Sequence, residues 1–487
     1  MSKFKQLKSL IFQDFSPVNW QDNTYNKSKF INAFYNVNMK NKKIVGGLGI
    51  SEAKIPYSNS ENSVMGTFNT ASHTDIEGID GLVYFRQYFP TSNNTQHRIL
   101  LHATNKKLYV HQMYSGVGTI LWIYNLEFDY PPICLTYKLN GNDTIILSSP
   151  EKMIVWTTNQ APYTVSNVPI ITSMCISNNI LFCTIAGEAD KIWYSTTLNP
   201  ELIGTTSNYT KNLILGDERG YARKILTFRE NLYVFRDYGI TRIINYGYSN
   251  LDVKQVYLSD SKIFADTVKV CGDVVVFLTR DGLYSFDGVN VKKQILGIEY
   301  MIDKDNYYAT AEGLQDKYYL AMKLKFDDGK TVLCENSTYK NNALLVVDLH
   351  DYSYEILRGV DVKSMLPLKT ELVEKMLVTF NSGYCNKIGE IDNSSKLFDT
   401  NLPKYFSTNE LLDNGVDSIV IRQIVVDASQ GVNLSVETDE GVSTFTTYVD
   451  GVNTFETIIC CKHLKLKINS NNQSCNVNQI KIKYIEK

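Results

Sequence analysis

The chain lacks most of what would announce an enzyme or a membrane protein. Its nine cysteines form no C-x-x-C pair, and its six histidines (His73, His97, His102, His111, His350 and His463) are scattered without ligand spacing. A zinc site needs such clustering, and His111-x-Met113 falls short of it. There is no G-x-S-x-G, no P-loop and no G-x-G-x-x-G, so acyl transfer, nucleotide hydrolysis and dinucleotide redox have no motif to rest on. Catalytic, cofactor-binding and metal-binding residues are therefore all expected to be none. No stretch reaches the roughly eighteen apolar residues of a membrane span. Only Leu10-Ile11-Phe12 follow the basic start Met1-Ser2-Lys3-Phe4-Lys5, too little for a signal-peptide core. Cys175, Cys183, Cys271 and Cys460 sit inside apolar runs, which reads as buried, reduced thiols made in a reducing cytoplasm. Helical periodicity is missing too, except that Phe4, Leu7, Leu10 and Ile11 share a face and predict a short amphipathic helix.

What is present is a repeat: an apolar run, a tight polar turn, a second apolar run. The copies are Ile99–His102 into Leu108–Val110, Ile145–Leu147 into Met153–Trp156, Ile180–Cys183 into Ile192–Tyr194, and Leu232–Phe235 into Ile240–Ile243. Three more follow, Val274–Leu278 into Leu283–Phe286, Tyr318–Ala321 into Leu344–Val347, and Met376–Thr379 into Ile388–Ile391. A strand-built period of roughly 40 to 50 residues is the signature of a β-propeller, whose blades are antiparallel sheets of about four strands. A blade is covered on both faces by its neighbours, so its strands read as continuous apolar runs rather than alternating ones. Asn140-Gly141, Asp281-Gly282, Asp287-Gly288 and Asp328-Gly329 supply turn residues that tolerate positive φ. The abundant Tyr (32, against 4 Trp) suits strands with half-exposed faces. A two-sheet sandwich is the competing architecture, but sandwiches seldom repeat at this period.

The expected organisation is all-β: a basic arm over 1–56, a polar loop region over 57–82, a seven-bladed propeller over 83–402, and a small β-sandwich over 416–487. Leu82–Phe89 is expected to open the first blade or to close the ring beside 376–391, since a closed ring leaves no open edge. After Pro403 and a polar link through Asn414-Gly415, strict alternation begins, as in Leu464-Lys465-Leu466-Lys467-Ile468 and Ile480-Lys481-Ile482-Lys483-Tyr484. Such alternation marks a sandwich with a wet face, serving as a packing, oligomerisation or carbohydrate-binding module.

The net charge of −2 hides an asymmetry. Residues 1–56 carry Lys3, Lys5, Lys8, Lys27, Lys29, Lys40, Lys42, Lys43 and Lys54 against Asp14, Asp22 and Glu52, and 462–487 carries six lysines against Glu486. The body between is acidic, which argues against nucleic acid wrapping the propeller, because phosphate contacts need a basic stripe. Basic ends on an acidic body are either solvated tails or a docking device for an acidic neighbour or a polyanion. Asp303-x-Asp305 and Asp327-Asp328 resemble calcium ligands no more than ordinary turns do. Arg219, Arg223, Arg229, Arg236, Arg242 and Arg280 are six of the ten arginines. Converging guanidinium groups clamp a carboxylate in propeller glycosidases such as sialidases, but the Ser-x-Asp-x-Gly-x-Thr-Trp turns of those enzymes are missing. So are the Trp-Asp pair of WD40 blades and the repeated Gly-Gly of kelch. Surface charge or subunit contact is the simpler reading of the arginines.

The stretch Lys191-Ile192-Trp193-Tyr194-Ser195-Thr196-Thr197-Leu198-Asn199-Pro200 resembles a blade phrase of virion propellers in tailed bacteriophages. Phe228–Ile240 resembles the strand-turn-strand that follows it, although Glu201-Leu202 stands where a Trp is usual after Asn-Pro. The likeness covers roughly 170–290 and thins toward 400. It implies a non-enzymatic tail-tube, tail-hub or packaged-DNA-stabilising component without cofactors, made in the host cytoplasm and located in the virion. Its partners would be copies of itself in a ring and neighbouring portal, adaptor or tail proteins. Genomic DNA would pass without sequence-specific binding, and no membrane anchor is expected. A host-glycan-binding or glycan-cleaving attachment propeller is the alternative, and a cytosolic interaction scaffold the third reading.

Overall fold

A computed structural model describes residues 7–13, 15, 33–39, 41–56, 65–67, 76–90, 93–113, 121–139, 141–158, 160–165, 167–196, 203, 210–216, 219–245, 251–294, 296–326, 338–371, 373–408 and 418–486. Among these residues the regular structure is all β apart from single 3-10 turns such as Ala265–Thr267 and Glu299–Met301. No helix among them is long and apolar enough to cross a membrane.

The central strands of each sheet follow the repeat. Ile99–His102 pairs with Leu108–Val110, Leu232–Phe235 with Ile240–Ile243, and Tyr318–Ala321 with Leu344–Val347, and the other copies pair likewise. A strand on either side completes four-stranded antiparallel meanders, for example Ala222–Phe228, Asn231–Arg236, Gly239–Asn245 and Leu251–Leu258. The expected double-faced burial is explicit: every residue of Ile180–Ile185 and of Met153–Thr157 is buried. The turns behave as read, with Gly282 at φ 152° and Gly288 at φ 98°, conformations that cost a Cβ-bearing residue strain.

The apolar cores lie between consecutive sheets. One joins Leu100, Leu108 and Val110 to Ile145, Leu147 and Trp156; another joins Phe182 and Ile192 to Ile225 and Val234. The series returns to its start, because Leu366, Leu368, Leu377 and Ile388 share a core with Ile79, Leu82, Ile99 and Leu101. Sheets whose cores follow one another in a cycle are the architecture of a β-propeller. Leu82–Phe89 belongs to the strand Ile79–Phe89, which opens the first sheet by pairing with Asn94–Ala103. The cycle is closed instead by Gly49–Glu52, which lies antiparallel to Gly389–Asp392. This strand is fastened at several points. Phe398 N–H donates to the Ile50 carbonyl at 2.6 Å, and Lys375 Nζ reaches both Glu390 Oε2 at 2.5 Å and the Lys54 carbonyl at 2.7 Å. Gly389 is needed there: a Cβ would stand 2.4 Å from Ile50 Cγ2.

The rest of the chain forms two sheets with a shared core. One runs Val37–Asn38, Ile44–Gly46, Asn476–Glu486, Ile419–Ala428, Gly451–Cys461, with Lys8–Phe12 also on Asn476–Glu486. The other runs Ala33–Tyr35, Lys404–Ser407, Leu464–Ser470, Asn433–Thr438, Gly441–Thr446. Residues 8–12, 33–35, 37–38 and 44–46 of the basic N-terminal stretch are thus sheet strands, and 404–407 joins this unit ahead of residue 416. Lys8–Phe12 is extended, not helical, which corrects the reading from Phe4, Leu7, Leu10 and Ile11; Phe4 lies outside the described residues. The physical reason is the cross-strand partner: five consecutive residues pair with Ile480–Tyr484, and tertiary pairing overrides a weak local helical pattern. Within 57–82, Met65–Thr67 pairs with Lys54–Pro56. Asn140, Asn414-Gly415 and Asp328-Gly329 lie outside the described residues.

Ile50 is fully buried, whereas Val289 is 75% exposed. Ile50→Ala is expected to destabilise the protein by about 2–5 kcal/mol in a denaturant titration, and Val289→Ala by no more than about 0.5 kcal/mol. Equal effects would remove Gly49–Glu52 as the closing strand.

Candidate functional site

The first strands of neighbouring sheets converge on the propeller axis, and the charges they carry meet there. Lys269 on Lys269–Cys271 pairs with Glu312 on Thr310–Leu314. Lys363 on Val362–Lys369 pairs with Asp80 on Ile79–Phe89, and His102 Nδ1 stands 3.4 Å from the other Asp80 oxygen. Burial works to raise the Asp80 carboxyl, yet His102 and Lys363 together hold it below the usual carboxylate range. Lys224, on Ala222–Phe228, is pushed down to about 8 by burial and by the nearby Lys269 charge, with Asp266 and Glu312 opposing. These axial charges are of both signs and largely paired across sheets. The sequence signal was there, a lysine or acid inside an otherwise apolar strand, but no spacing rule connects Lys363 to Asp80.

The six arginines do not converge. Arg236, 1% exposed, donates from Nε to the Gly220 carbonyl at 3.0 Å and from Nη1 to the Gly216 carbonyl at 2.7 Å. Arg219 donates to the Tyr257 carbonyl, and Arg229 Nη2 to the Asp273 carbonyl at 3.2 Å. Arg242 forks onto Asn231 Oδ1 at 3.0 and 2.6 Å. Arg280 holds the Tyr307 hydroxyl at 2.9 Å and faces Asp305 at 3.8 Å. Arg223 lines a cleft, about 280 Å³ in volume, with Asp237, Lys262, Phe264 and Tyr307. There Arg223 grips Asp237 through Nε at 3.0 Å and Nη2 at 3.3 Å, and Lys262 Nζ lies 3.8 Å from the same carboxylate. Arg223 also stacks on Tyr221, 4.7 Å from the ring centre. Asp237 in this cleft is already held by its bases, with the geometry that gives a bidentate pair its strength, and the exposed Asp266 lines the cleft as well. A second cleft, about 390 Å³, is lined by Arg86, Tyr88, Thr95, Thr136, Tyr137, Lys138 and Asp143. Asp143 there accepts the Tyr88 N–H at 2.7 Å.

The remaining candidates stay apart. His97 bonds the Tyr84 hydroxyl at 2.7 Å, His350 faces Asp316 at 3.1 Å, and the His463 N–H donates to Asp439 at 3.3 Å. His111 is buried, and His73 lies outside the described residues. Asp303 caps its own turn, accepting the Asp305 N–H at 3.0 Å; Asp327-Asp328 lies outside the described residues. Among those residues no three His, Cys, Asp or Glu side chains group as a metal site would require. Among the described residues eight cysteines are free thiols, with burial pushing Cys134 and Cys271 up to about 12. Cys460 differs from expectation: it is half-buried, and its neighbour Cys461 takes the inward position, as the period-two geometry of a strand requires for one of the two.

No family model matches the chain, and no curated protein matches it. Among solved structures it is similar to BBS1N from a complex with ARL6DN, at 11% identity over 70% of this chain and 96% of that one, TM-score 0.41. It is also similar to BamB from Moraxella catarrhalis, at 9% identity over 74% and 95%, TM-score 0.35. A third is Hsv2 from Kluyveromyces lactis, at 8% identity over 54% and 81%, TM-score 0.32.

Burial pushes the His111 imidazole from 6.5 down to about 4. The unfolded chain therefore binds more protons than the native one between these values, so stability falls as pH drops through that window. The expected loss from this residue is up to about 3 kcal/mol. His111→Gln is expected to flatten the denaturation midpoint between pH 6.5 and 4; an unchanged slope would assign the acid sensitivity elsewhere.

Proposed function

We propose that the chain is a non-enzymatic structural subunit of a bacteriophage virion, placed in the tail or the neck, that assembles with copies of itself into a ring around the DNA passage. In this reading it is a seven-bladed propeller closed by Gly49–Glu52, carrying a C-terminal β-sandwich into which the N-terminal strands are woven. The observation that carries the reading is where the molecule leaves contact surface. The ionic groups of the axis and of the Arg223 cleft are largely paired with one another, while Val442, Tyr448, Val449, Val452 and Ile458 are exposed along Gly441–Thr446, Gly451–Cys461 and the turn between them. Apolar side chains grouped on a surface mark contact with another protein. The likeness of Phe228–Ile240 to virion propellers adds to this, and that segment is a central hairpin of its sheet. Assembly would involve portal, adaptor or tail neighbours. DNA would pass through the ring of copies, not along the ion-paired axis of one propeller.

A host-glycan attachment role is the second reading, favoured by Tyr307 and Tyr308, 54% and 62% exposed, with Tyr307 lining the Arg223 cleft. Exposed aromatic faces suit sugar rings, yet the carboxylate beside them, Asp237, is held by Arg223 and Lys262.

Light scattering after size exclusion, with electron cryomicroscopy of any large peak, separates the two. The expected outcome is a closed ring of several copies, or assembly once a portal or tail partner is added. A chain that stays monomeric with those partners and binds a glycan array would overturn the virion reading in favour of attachment.

A further inference from the structure

Resting on the ring reading above, the inference concerns the surface that would join the copies. The larger sheet of the sandwich has two open sides. Asn476–Glu486 is flanked by Ile419–Ala428 on one side and by Lys8–Phe12 and Ile44–Gly46 on the other, and Gly451–Cys461 ends the sheet beyond Ile419–Ala428. Among the described residues, Gly451–Cys461 pairs only with Ile419–Ala428, and Lys8–Phe12 only with Asn476–Glu486.

Gly451–Cys461 is eleven residues long and holds no Pro and no Lys; what blunts it as an edge is Glu456 and one bulge, where Ile421 and Gln423 face Ile459 and Glu456. Val452, 63% exposed, and Ile458, 71% exposed, stand on its outward side. The opposite edge offers Leu7, 52% exposed, and Ile11, 46% exposed. A long apolar edge is a template for pairing with another chain.

We infer that Gly451–Cys461 of one copy docks Lys8–Phe12 of the next copy, extending the sheet from subunit to subunit. Strand direction and charge both select this pairing. The strands Lys8–Phe12, Asn476–Glu486, Ile419–Ala428 and Gly451–Cys461 are each antiparallel to the one before. A copy set down in the same sense beyond Gly451–Cys461 therefore presents its Lys8–Phe12 antiparallel again, continuing the ladder. The edges are also of opposite sign. Asp450 and Glu456 are exposed at Gly451–Cys461, and Asp439, which accepts the Lys462 and His463 N–H groups, lies beyond its end beside the exposed Lys462. At the other edge Lys481 and Lys483 lie opposite Ile11 and Ser9, and Lys8 is paired with Glu486 at 2.6 Å. Two acidic edges facing each other would repel, which disfavours a two-fold dimer through Gly451–Cys461 and favours the head-to-tail contact. Head-to-tail contacts of one kind generate rings when their rotation closes.

The test uses full-length chains blocked at one edge each. V452K/I458K puts lysines on the acidic edge, and Leu7→Ser/Ile11→Ser removes the apolar side chains of the other. All four positions are exposed, and unchanged thermal unfolding checks that both variants fold. Where the wild type assembles, each variant alone is expected to be monomeric by light scattering, its self-association weakened roughly a hundredfold. A 1:1 mixture is expected to give one species of twice the monomer mass, since one intact edge of each kind remains. If the L7S/I11S chain still dimerises alone, the contact is two-fold and the inference fails. If either variant keeps the full ring, or the mixture stays monomeric, another surface joins the copies; the inference fails while the ring reading stands. A wild type that is monomeric with and without portal or tail proteins overturns both.

Discussion

The structure depends on closing a cycle of sheets with a strand that is remote in sequence. Each inter-sheet core exists only because both of its walls are present. The wall formed by Val362–Lys369, Glu374–Phe380 and Gly389–Asp392 gains its outer strand only when Gly49–Glu52 arrives. That strand comes from more than three hundred residues away in sequence, so its placement carries a loop-closure cost that local hairpins escape. The offset comes from depth: Ile50 is fully buried, and Phe398, Lys375 and Glu390 all reach around it. The same constraint explains the two sheets that share a core outside the propeller. With 49–52 anchored in the last sheet, residues 33–46 are held near the chain's return at 404–407, and Ala33–Tyr35 pairs with Lys404–Ser407 directly. Tyr35 stacks on Tyr405 at 5.0 Å between ring centres, and Asn36 Nδ2 donates to the Pro403 carbonyl at 2.7 Å. The two units share this strand traffic.

How much of this could be read in advance follows from the range of the interactions. Hairpins such as Val274–Leu278 with Leu283–Phe286 were legible because strand, turn and strand lie within a dozen or so residues, and a doubly covered strand cannot hide its apolar run. The closing strand was not. Gly49-Ile50-Ser51-Glu52 has one strongly apolar residue in four, and its identity as a strand is conferred by its partners. Leu82–Phe89 was the natural rival because it has the stronger strand pattern, yet it follows directly into Asn94–Ala103 and the local pairing wins. Lys8–Phe12 failed for the same reason in reverse: its local period suggested a helix, and Asn476–Glu486 supplied a better partner.

The candidate sites show a similar division. The cluster of arginines was visible as composition, but its fate is decided by carbonyls and carboxylates brought in from other turns. Arg236 serves the Gly216 and Gly220 carbonyls, and Arg223 is committed to Asp237. A guanidinium that satisfies backbone acceptors inside a loop gains rigidity for that loop, because each orphaned buried carbonyl would otherwise cost the fold. A charge run in sequence therefore speaks about availability only after its partners are known.

The axial ion pairs sharpen the same point. Lys269 with Glu312, and Lys363 with Asp80, are each about a fifth to a third exposed, so solvent screens them and their net contribution to stability is modest. Their effect is on register. Each joins the first strands of two different sheets, where backbone hydrogen bonding does not reach, and a slip by one residue would turn the lysine into an apolar core. Side-chain packing between sheets tolerates small sliding of one face over another; a charge that has one partner and no apolar alternative does not. The apolar cores supply the affinity between sheets, and the paired axial charges specify how those sheets are set against one another.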